Sequence, residues 1–199
     1  MSNILVLKSS IMGDNSQTNM LIDTFLASRQ DAGFVDTITE HDLTTMDLPV
    51  LNSEIFTALR AGNNLNEHLR SVVALSDSLI VELKESDMVV IGAPMYNLNV
   101  PTQLKNWFDL IARADITFKY TESYPIGLIE GVSAVIISSS GGIHVNQKTD
   151  AVTPYLQAVL GLIGITDVEF VYAEGMDMRP YGRAKGLADA RVAIASLVG

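Results

Sequence analysis

Short apolar runs recur along this chain, and most are followed by a stretch with the period of an amphipathic helix. Three of them are Ile4 to Leu7, Met88 to Gly92 and Ser133 to Ser138. Continuous apolar runs of this length are typical of parallel strands that are buried on both faces of a sheet. Their alternation with helices predicts an α/β protein whose parallel sheet carries helices on both faces.

Two further strands are expected at Val35 to Thr39, with Ile38 facing inward, and at Val168 to Tyr172. Five strands favour the flavodoxin-like order 2-1-3-4-5, a three-layer sandwich, over the longer sheet of the dinucleotide-binding fold. Apolar periodicity and helix-boundary residues predict the helices. They are one from Ser16 to about Gly33, then Asn66 to Lys84, Thr102 to Ala114, Thr149 to Ile163 and Ala184 to Leu197.

The length of 199 residues indicates one domain, which we expect to span residues 1 to 199. Two segments depart from the alternating pattern. His41 to Asn64 is irregular, with Pro49 and Gly62 as breaks. Asp115 to Gly131 combines aromatic residues with proline and glycine, and we expect an excursion such as a hairpin over one end of the sheet.

Composition narrows the range of partners. A formal net charge of -10 disfavours nucleic acid and anionic membranes, and the lack of cysteine excludes disulfides, thiolate zinc sites and cysteine nucleophiles. No run reaches the roughly 18 apolar residues of a membrane span. We therefore expect a cytoplasmic protein. Because 48% of the residues are hydrophobic, a buried partner surface is also expected, most simply that of a homodimer.

The ends of the first, third and fourth strands should meet at one edge of the sheet. After the first strand, Ser10 is followed by Ser16, Gln17 and Thr18 at the start of a helix. Hydroxyl groups and the free N–H groups of a helix N-terminus favour an anion, so we expect a phosphate cradle there, with Lys8 as the nearby cation. The alternative is that Ser16 only caps the helix and the other hydroxyls are solvated.

The glycine patterns of nucleotide-binding loops are absent. Neither GxxxxGK[ST] nor GxGxxG occurs in the chain. A nucleoside-triphosphate loop is therefore excluded, and a tightly held nicotinamide dinucleotide is disfavoured. The pattern favours a monophosphate.

The third strand ends in an aromatic and amide cluster. Met95 and Tyr96 offer a thioether and a ring on which a planar group could lie, and Asn97 could bond the polar edge of that group. Pro101 then suits the first turn of a helix. The alternative is that Met95 and Tyr96 belong to the core.

The fourth strand runs into Ser139, Ser140, Gly141 and Gly142. Paired glycines permit positive φ and allow backbone N–H groups to approach a ligand closely. His144 follows them and could gate or protonate a substrate, because histidine titrates near neutral pH. The alternative is a structural or solvated histidine. The serine-hydrolase elbow GxSxG is absent.

Longer motifs carry a resemblance to a known family. In chain order they are KSSI, SQT, APMYN followed by QLKNWFDLIARA, TFKYTE, SSGGIH, TPYL and GITDVEFVYAEG. The chain resembles the FMN-dependent NADH azoreductases and NAD(P)H quinone oxidoreductases, which are flavodoxin-like flavoenzymes. The resemblance covers essentially the whole chain and is weakest from Ala27 to Thr39 and after Gly175.

The resemblance implies one FMN per subunit, a homodimer with both sites at its interface, and ping-pong chemistry. In that scheme NADH or NADPH reduces the flavin and leaves, and a quinone or an azo compound then takes the electrons. The implied FMN contacts are Ser10, Ser16, Gln17 and Thr18 for the phosphate, Met95, Tyr96, Asn97 and Leu98 beside the ring, and Ser139, Ser140, Gly141 and Gly142 at its pyrimidine edge. The implied substrate-side residues are His144 and Tyr120.

The chain also departs from the family pattern. Ser140 stands where relatives often have arginine, and Leu98 and Leu162 stand where they often have aromatic residues. These differences leave the acceptor range and the choice between NADH and NADPH open. Two other functions remain alternatives: a flavodoxin-type electron carrier that acts with protein partners, and a cofactor-free interaction protein on the same fold.

Overall fold

The structure is a computed structural model that describes residues 1–62, 65–180 and 182–199. Its strands are β1 (Ser2–Lys8), β2 (Asp36–Asp42), β3 (Met88–Gly92), β4 (Phe118–Lys119), β5 (Ile126–Gly127), β6 (Ser133–Ser139) and β7 (Val168–Ala173). Its helices are α1 (Gln17–Asp31), α2 (Ser53–Ala61), α3 (Glu67–Glu85), α4 (Thr102–Ile111), α5 (Val152–Ile163) and α6 (Gly182–Val198), with a short 3-10 turn at Gly13–Asn15.

The main sheet has five parallel strands in the order β2-β1-β3-β6-β7. The predicted order 2-1-3-4-5 is therefore confirmed. Side chains alternate between the two faces along each strand, so that Leu5 and Leu7 pack in one apolar cluster with α2 to α5. Ile4 and Val6 pack in the other, with α1 and α6. Three layers follow from this alternation.

Two expectations about the first third of the chain are wrong. Within the stretch expected to be irregular, α2 forms because Asn52 caps it by accepting a bond from the Ile55 N–H at 2.9 Å, and Ile55 is buried. Residues 63 and 64 of that stretch lie outside the described residues. Ile38 does not face inward but is 47% exposed, because β2 is an edge strand and a groove separates it from α1.

The excursion after α4 is a hairpin, as expected, formed by the antiparallel pair β4 and β5. It is fixed to the end of α5, since the N–H groups of Leu128 and Ile129 donate to the carbonyl of Ile163 at 3.1 and 2.9 Å. At Gly127 the hairpin backbone lies so close to Gly164 that a Cβ atom would overlap it. Within the described ranges, the structure contains no helix whose length and apolarity would let it span a membrane.

Candidate functional site

A cavity of about 250 Å³ lies where the carboxyl ends of β1, β3 and β6 meet. One wall is formed by the loop before α1 and by the first turn of α1. The other walls come from the start of the β3–α4 loop, from the end of β6, and from the segment that joins β7 to α6. The lining residues are Ser10, Met12, Asn15, Ser16, Gln17, Thr18, Pro94, Met95, Tyr96, Ser139, Ser140, Gly141, Met176, Asp177 and Arg183. The three strand ends therefore converge as the sequence predicted.

The N-terminus of α1 combines capping with exposed donors. Ser16 has an extended backbone, and its Oγ accepts a bond from the Asn19 N–H at 3.1 Å. The N–H groups of Gln17 and Thr18 lie in the first turn, where a helix provides no acceptor of its own. Ser16 thus caps the helix and also lines the cavity, so the two interpretations of this residue are compatible.

The Thr18 hydroxyl is not solvated, contrary to the alternative interpretation of this segment. The side chain is 1% exposed, and its Oγ1 lies 2.7 Å from Ser139 Oγ. This bond joins the start of α1 to the end of β6. A second hydroxyl pair, Ser10 Oγ and Tyr96 Oη at 3.0 Å, joins the loop after β1 to the loop after β3. Hydrogen bonds between neutral side chains therefore connect the walls of the cavity to one another.

The loop after β3 contains a tight two-residue turn. Tyr96 and Asn99 exchange two backbone hydrogen bonds, at 2.9 and 3.1 Å, around Asn97 and Leu98. Both turn residues have positive φ, 50° and 66°. Neither lines the cavity in a single chain, whereas Met95 does, with its N–H donating to the Ser139 carbonyl at 2.8 Å. Met95 also packs against the core, so the expected core role and the cavity role coincide.

The paired glycines are required by close contacts with neighbouring side chains and not by unusual backbone torsion angles. Neither Gly141 nor Gly142 has positive φ. A Cβ atom on Gly141 would lie 2.5 Å from Asp177 Oδ2, and one on Gly142 would lie 2.7 Å from His144 Nε2. Gly141 lines the cavity and Gly142 does not. The N–H of Asp177 donates to the Gly141 carbonyl at 3.1 Å, which fixes the loop to the segment after β7.

His144 lies beside this loop but does not line the cavity. Its Nδ1 is 2.9 Å from Thr149 Oγ1. The backbone N–H groups of His144 and Val145 both donate to Glu174 Oε1, at 2.6 and 2.9 Å. Glu174, which the sequence interpretation did not single out, therefore holds the segment that follows the glycines.

Tyr120 also lies away from the cavity in a single chain. It belongs to the hairpin excursion, is 65% exposed, and contacts Phe118 edge-on with ring centroids 5.3 Å apart. Most of its ring is available to another molecule.

The expectation that Lys8 supplies the nearby cation is wrong. Its Nζ lies 3.0 Å from Asp23 Oδ1 and 3.1 Å from Glu40 Oε1. Burial acts to lower the pKa of Lys8, but the hydrogen bonds to the two carboxylates outweigh it, and the pKa is raised. The ammonium group is thus occupied by ion pairs within the fold.

Other charged residues of the cavity come from the segment after β7. Among the described lining residues, Arg183 is the one cation and Asp177 the one carboxylate. The sequence interpretation missed both, together with Met12, Asn15, Pro94 and Met176. A signal was present, because β7 is also a parallel strand and its carboxyl end faces the same edge of the sheet.

This sheet order, with a cavity at its carboxyl edge, defines a flavodoxin-like protein. Comparison with known families agrees, since the family described as "Flavodoxin-like fold" matches residues 2–198. The chain is 65% identical over 191 residues to FMN-dependent NADH:quinone oxidoreductase 4 of Burkholderia lata, covering 96% of each chain. It is 59% identical over 191 residues to FMN-dependent NADH:quinone oxidoreductase of Aeromonas salmonicida, again covering 96% of each.

Solved structures give the same result. An azoreductase from Bacillus anthracis superposes with a TM-score of 0.89 at 27% identity, covering 100% of this chain and 99% of the other. An FMN-dependent NADH-azoreductase from the same species, solved in complex with FMN, gives a TM-score of 0.87 at 25% identity, covering 100% and 98%. The chain belongs to the family of FMN-dependent NADH:quinone oxidoreductases, which confirms the resemblance found in its motifs.

Proposed function

We propose that this protein is an FMN-dependent NADH:quinone oxidoreductase that also reduces aromatic azo compounds. The observation that carries the proposal is the cavity at the strand ends, where helix N–H donors, a thioether and aromatic wall, and a glycine loop lie together. When bound, FMN supplies two-electron transfer between the nicotinamide cofactor and the acceptor. The relatives named above support the same activity at up to 65% identity.

The described residues fit FMN in their chemistry. The donors of Gln17 and Thr18 suit a phosphate, which a helix N-terminus favours. Met95 and Tyr96 suit a flat ring. Gly141 lines the cavity without a side chain, and a side chain there would meet Asp177. We assign the phosphate to Ser10, Ser16, Gln17 and Thr18, the ring to Met95, Tyr96, Asn97 and Leu98, and its pyrimidine edge to Ser139, Ser140, Gly141 and Gly142.

We propose that the working unit is a homodimer. The cavity of about 250 Å³ is smaller than the roughly 300 to 1,000 Å³ of typical ligand pockets, so one chain does not enclose cofactor and acceptor together. Four apolar side chains in the loops after β1, β3 and β6 are 45% to 60% exposed. They are Ile11, Met12, Leu98 and Ile143. A second subunit against this rim would bury them and complete the site.

Tyr120 and His144 are proposed as acceptor-side catalytic residues of this dimer. Tyr120 has the exposure that a contribution across the interface requires. His144 lies next to Gly142 and has a ring nitrogen directed at Thr149, which leaves the other nitrogen beside the glycine loop. We further propose NADH as donor, a cytoplasmic location, and no nucleic-acid partner, consistent with a net charge of -10.

The decisive experiment uses the purified protein with FMN and no partner protein. We expect a yellow complex that loses its colour when NADH is added without oxygen and regains it when a quinone follows. Steady NADH oxidation with quinone alone separates this enzyme from an electron carrier. A protein that gains no thermal stability from FMN would instead be the cofactor-free alternative. Replacing His144 by alanine, with exposed His68→Ala as control, tests its role through the pH profile of quinone turnover.

A further inference from the structure

The cofactor cavity has an uneven distribution of charge. Its walls from α1 and from the ends of β3 and β6 are neutral. Its two charged side chains both come from the segment between β7 and α6, namely Asp177 and Arg183. The protein has a net charge of -10, and an acidic protein repels anions. The one guanidinium group of the cavity is therefore a candidate for binding an anionic ligand.

Arg183 lies in the first turn of α6, which packs against α1. Both helices follow parallel strands, so both begin at the carboxyl edge of the sheet. Arg183 and the first turn of α1, from Ser16 to Thr18, consequently line one cavity. This is the part of the cavity where the unpaired N–H groups of Gln17 and Thr18 favour a phosphate.

Arg183 also forms no ion pair within the described part of the fold. Among the ion pairs of the described residues none involves Arg183, whereas Lys185, two positions further along α6, pairs with Asp189. Lys8, the other cation near the strand ends, is held by Asp23 and Glu40. Of the cations on these elements, Arg183 is thus the one that both lines the cavity and lacks a carboxylate partner among the described residues.

Asp177 opposes an anion in the same cavity. Its carboxylate lies against Gly141, with Oδ2 2.5 Å from where a Cβ would be, and its N–H is held by the Gly141 carbonyl at 3.1 Å. A negative charge fixed beside the glycine loop weakens the binding of any anionic ligand nearby. Arg183 and Asp177 therefore act on the cofactor with opposite signs.

We infer that Arg183 is the cation that binds the phosphate of the cofactor and makes the site selective for FMN over riboflavin, while Asp177 limits the affinity for FMN. This inference rests on the proposed function. Arginine suits the role, because its planar fork binds phosphate oxygens through charge-assisted hydrogen bonds.

The test titrates the apoprotein with FMN and with riboflavin, which has the same ring system and no phosphate. We expect Arg183→Gln to weaken FMN binding about tenfold, as the loss of one partly exposed charge-assisted bond does. Riboflavin binding should not change. Arg183→Lys should recover part of the loss, and Arg191→Gln, an exposed arginine on the same helix, should leave both dissociation constants unchanged.

Asp177→Asn removes a negative charge and should have the opposite effect on FMN binding. We expect it to tighten FMN binding about two- to threefold and to affect riboflavin less, because the effect acts on the charge of the ligand. Raising the salt concentration should weaken FMN binding to the wild type more than to Arg183→Gln.

Two results would overturn the inference while the proposed function stands. One is unchanged FMN affinity in Arg183→Gln. The other is an equal loss of FMN and riboflavin, which would assign Arg183 to the ring or to the shape of the cavity. If the wild-type apoprotein bound neither flavin, the proposed function itself would fail and the inference with it.

Discussion

The two ends of helix α1 differ in their charged groups. At its C-terminal end, Arg29 donates through Nε to Asp36 Oδ2 at 2.7 Å and through Nη2 to Oδ1 at 2.9 Å. Both side chains are at least nine-tenths buried, and the guanidinium also stacks over the ring of Phe34. At its N-terminal end, Ser16 and Thr18 contribute hydroxyls to a cavity.

The helix dipole explains the difference. A cation at the C-terminus and an anion at the N-terminus are both favourable. The chain supplies its own cation at the C-terminal end, and an ion pair with Asp36 uses that charge to hold the fold. At the N-terminal end no carboxylate of the described first turn takes the place of the anion. The ion pair at the C-terminal end therefore serves stability alone, whereas the N-terminal end also shapes the cavity, and substitutions at the two ends should differ in their effect on ligand binding.

Asp36→Asn should have the largest effect on stability. It leaves the Arg29 guanidinium buried without a charged partner, which typically costs about 3 kcal/mol of unfolding free energy. Urea denaturation of the wild type and the variant measures this cost. FMN affinity should not change, because the cavity lies at the other end of α1. Asp31→Asn, an exposed neighbour, is the matched control and should stay within about 0.5 kcal/mol. A loss of FMN affinity with unchanged stability would contradict the separation.

The same pair predicts a pH dependence. The hydrogen bond from Arg29 outweighs burial and lowers the pKa of Asp36 below its usual value of 3.8. A carboxyl group whose pKa is lower in the folded state stabilises the protein above its unfolded pKa, and the stabilisation is lost as the pH falls through the folded pKa. The unfolding free energy of the wild type should thus decline more steeply below about pH 4 than that of Asp36→Asn. Parallel curves there would contradict the prediction.

Thr18→Val probes the N-terminal end. The substitution keeps the shape of a side chain that is 1% exposed but removes its bond to Ser139 Oγ. We expect a loss of about 1 kcal/mol in unfolding free energy and weaker FMN binding, because α1 and β6 are no longer joined at the cavity. Thr24→Val, which loses only a bond to the Met20 carbonyl within α1, is the control and should bind FMN normally. Equal FMN affinity in all three proteins would show that the hydroxyl pair does not shape the cavity.

The strand ends were predictable from the sequence because parallel order determines where they meet. Once apolar runs such as Val89 to Ile91 are assigned to neighbouring strands, the residues that follow them must share one edge. Ser16, Tyr96 and Gly141 line one cavity for that reason. The hairpin was also predictable as an interruption of the pattern, though its two-residue strands were not.

The missed features depend on contacts between distant segments. Lys8 pairs with Asp23 and Glu40, and no local pattern shows that these carboxylates surround it. Arg183 follows the parallel strand β7, which indicates the correct edge of the sheet, but its place in the cavity beside α1 also depends on the packing of α6 against α1, which apolar periodicity does not specify. In both cases the contacts of the charged group depend on the tertiary structure.

The smallest expected effect is at Leu98, in the turn beside the cavity. Its φ of 66° is a left-handed conformation that costs a branched residue about 1 kcal/mol, whereas glycine adopts it freely. Because the side chain is 45% exposed, Leu98→Gly should lose little burial and raise the unfolding free energy of the apoprotein by about 0.5 kcal/mol. Asn97→Gly is the control, since asparagine tolerates this conformation, and its stability should hardly change.

We expect the side chain of this strained leucine to make its contacts in the proposed dimer. Leu98→Gly should therefore weaken self-association or FMN binding even as it stabilises the single chain, which sedimentation and flavin titration would detect separately. Destabilisation of the apoprotein by more than about 1 kcal/mol would show instead that Leu98 packs within its own subunit.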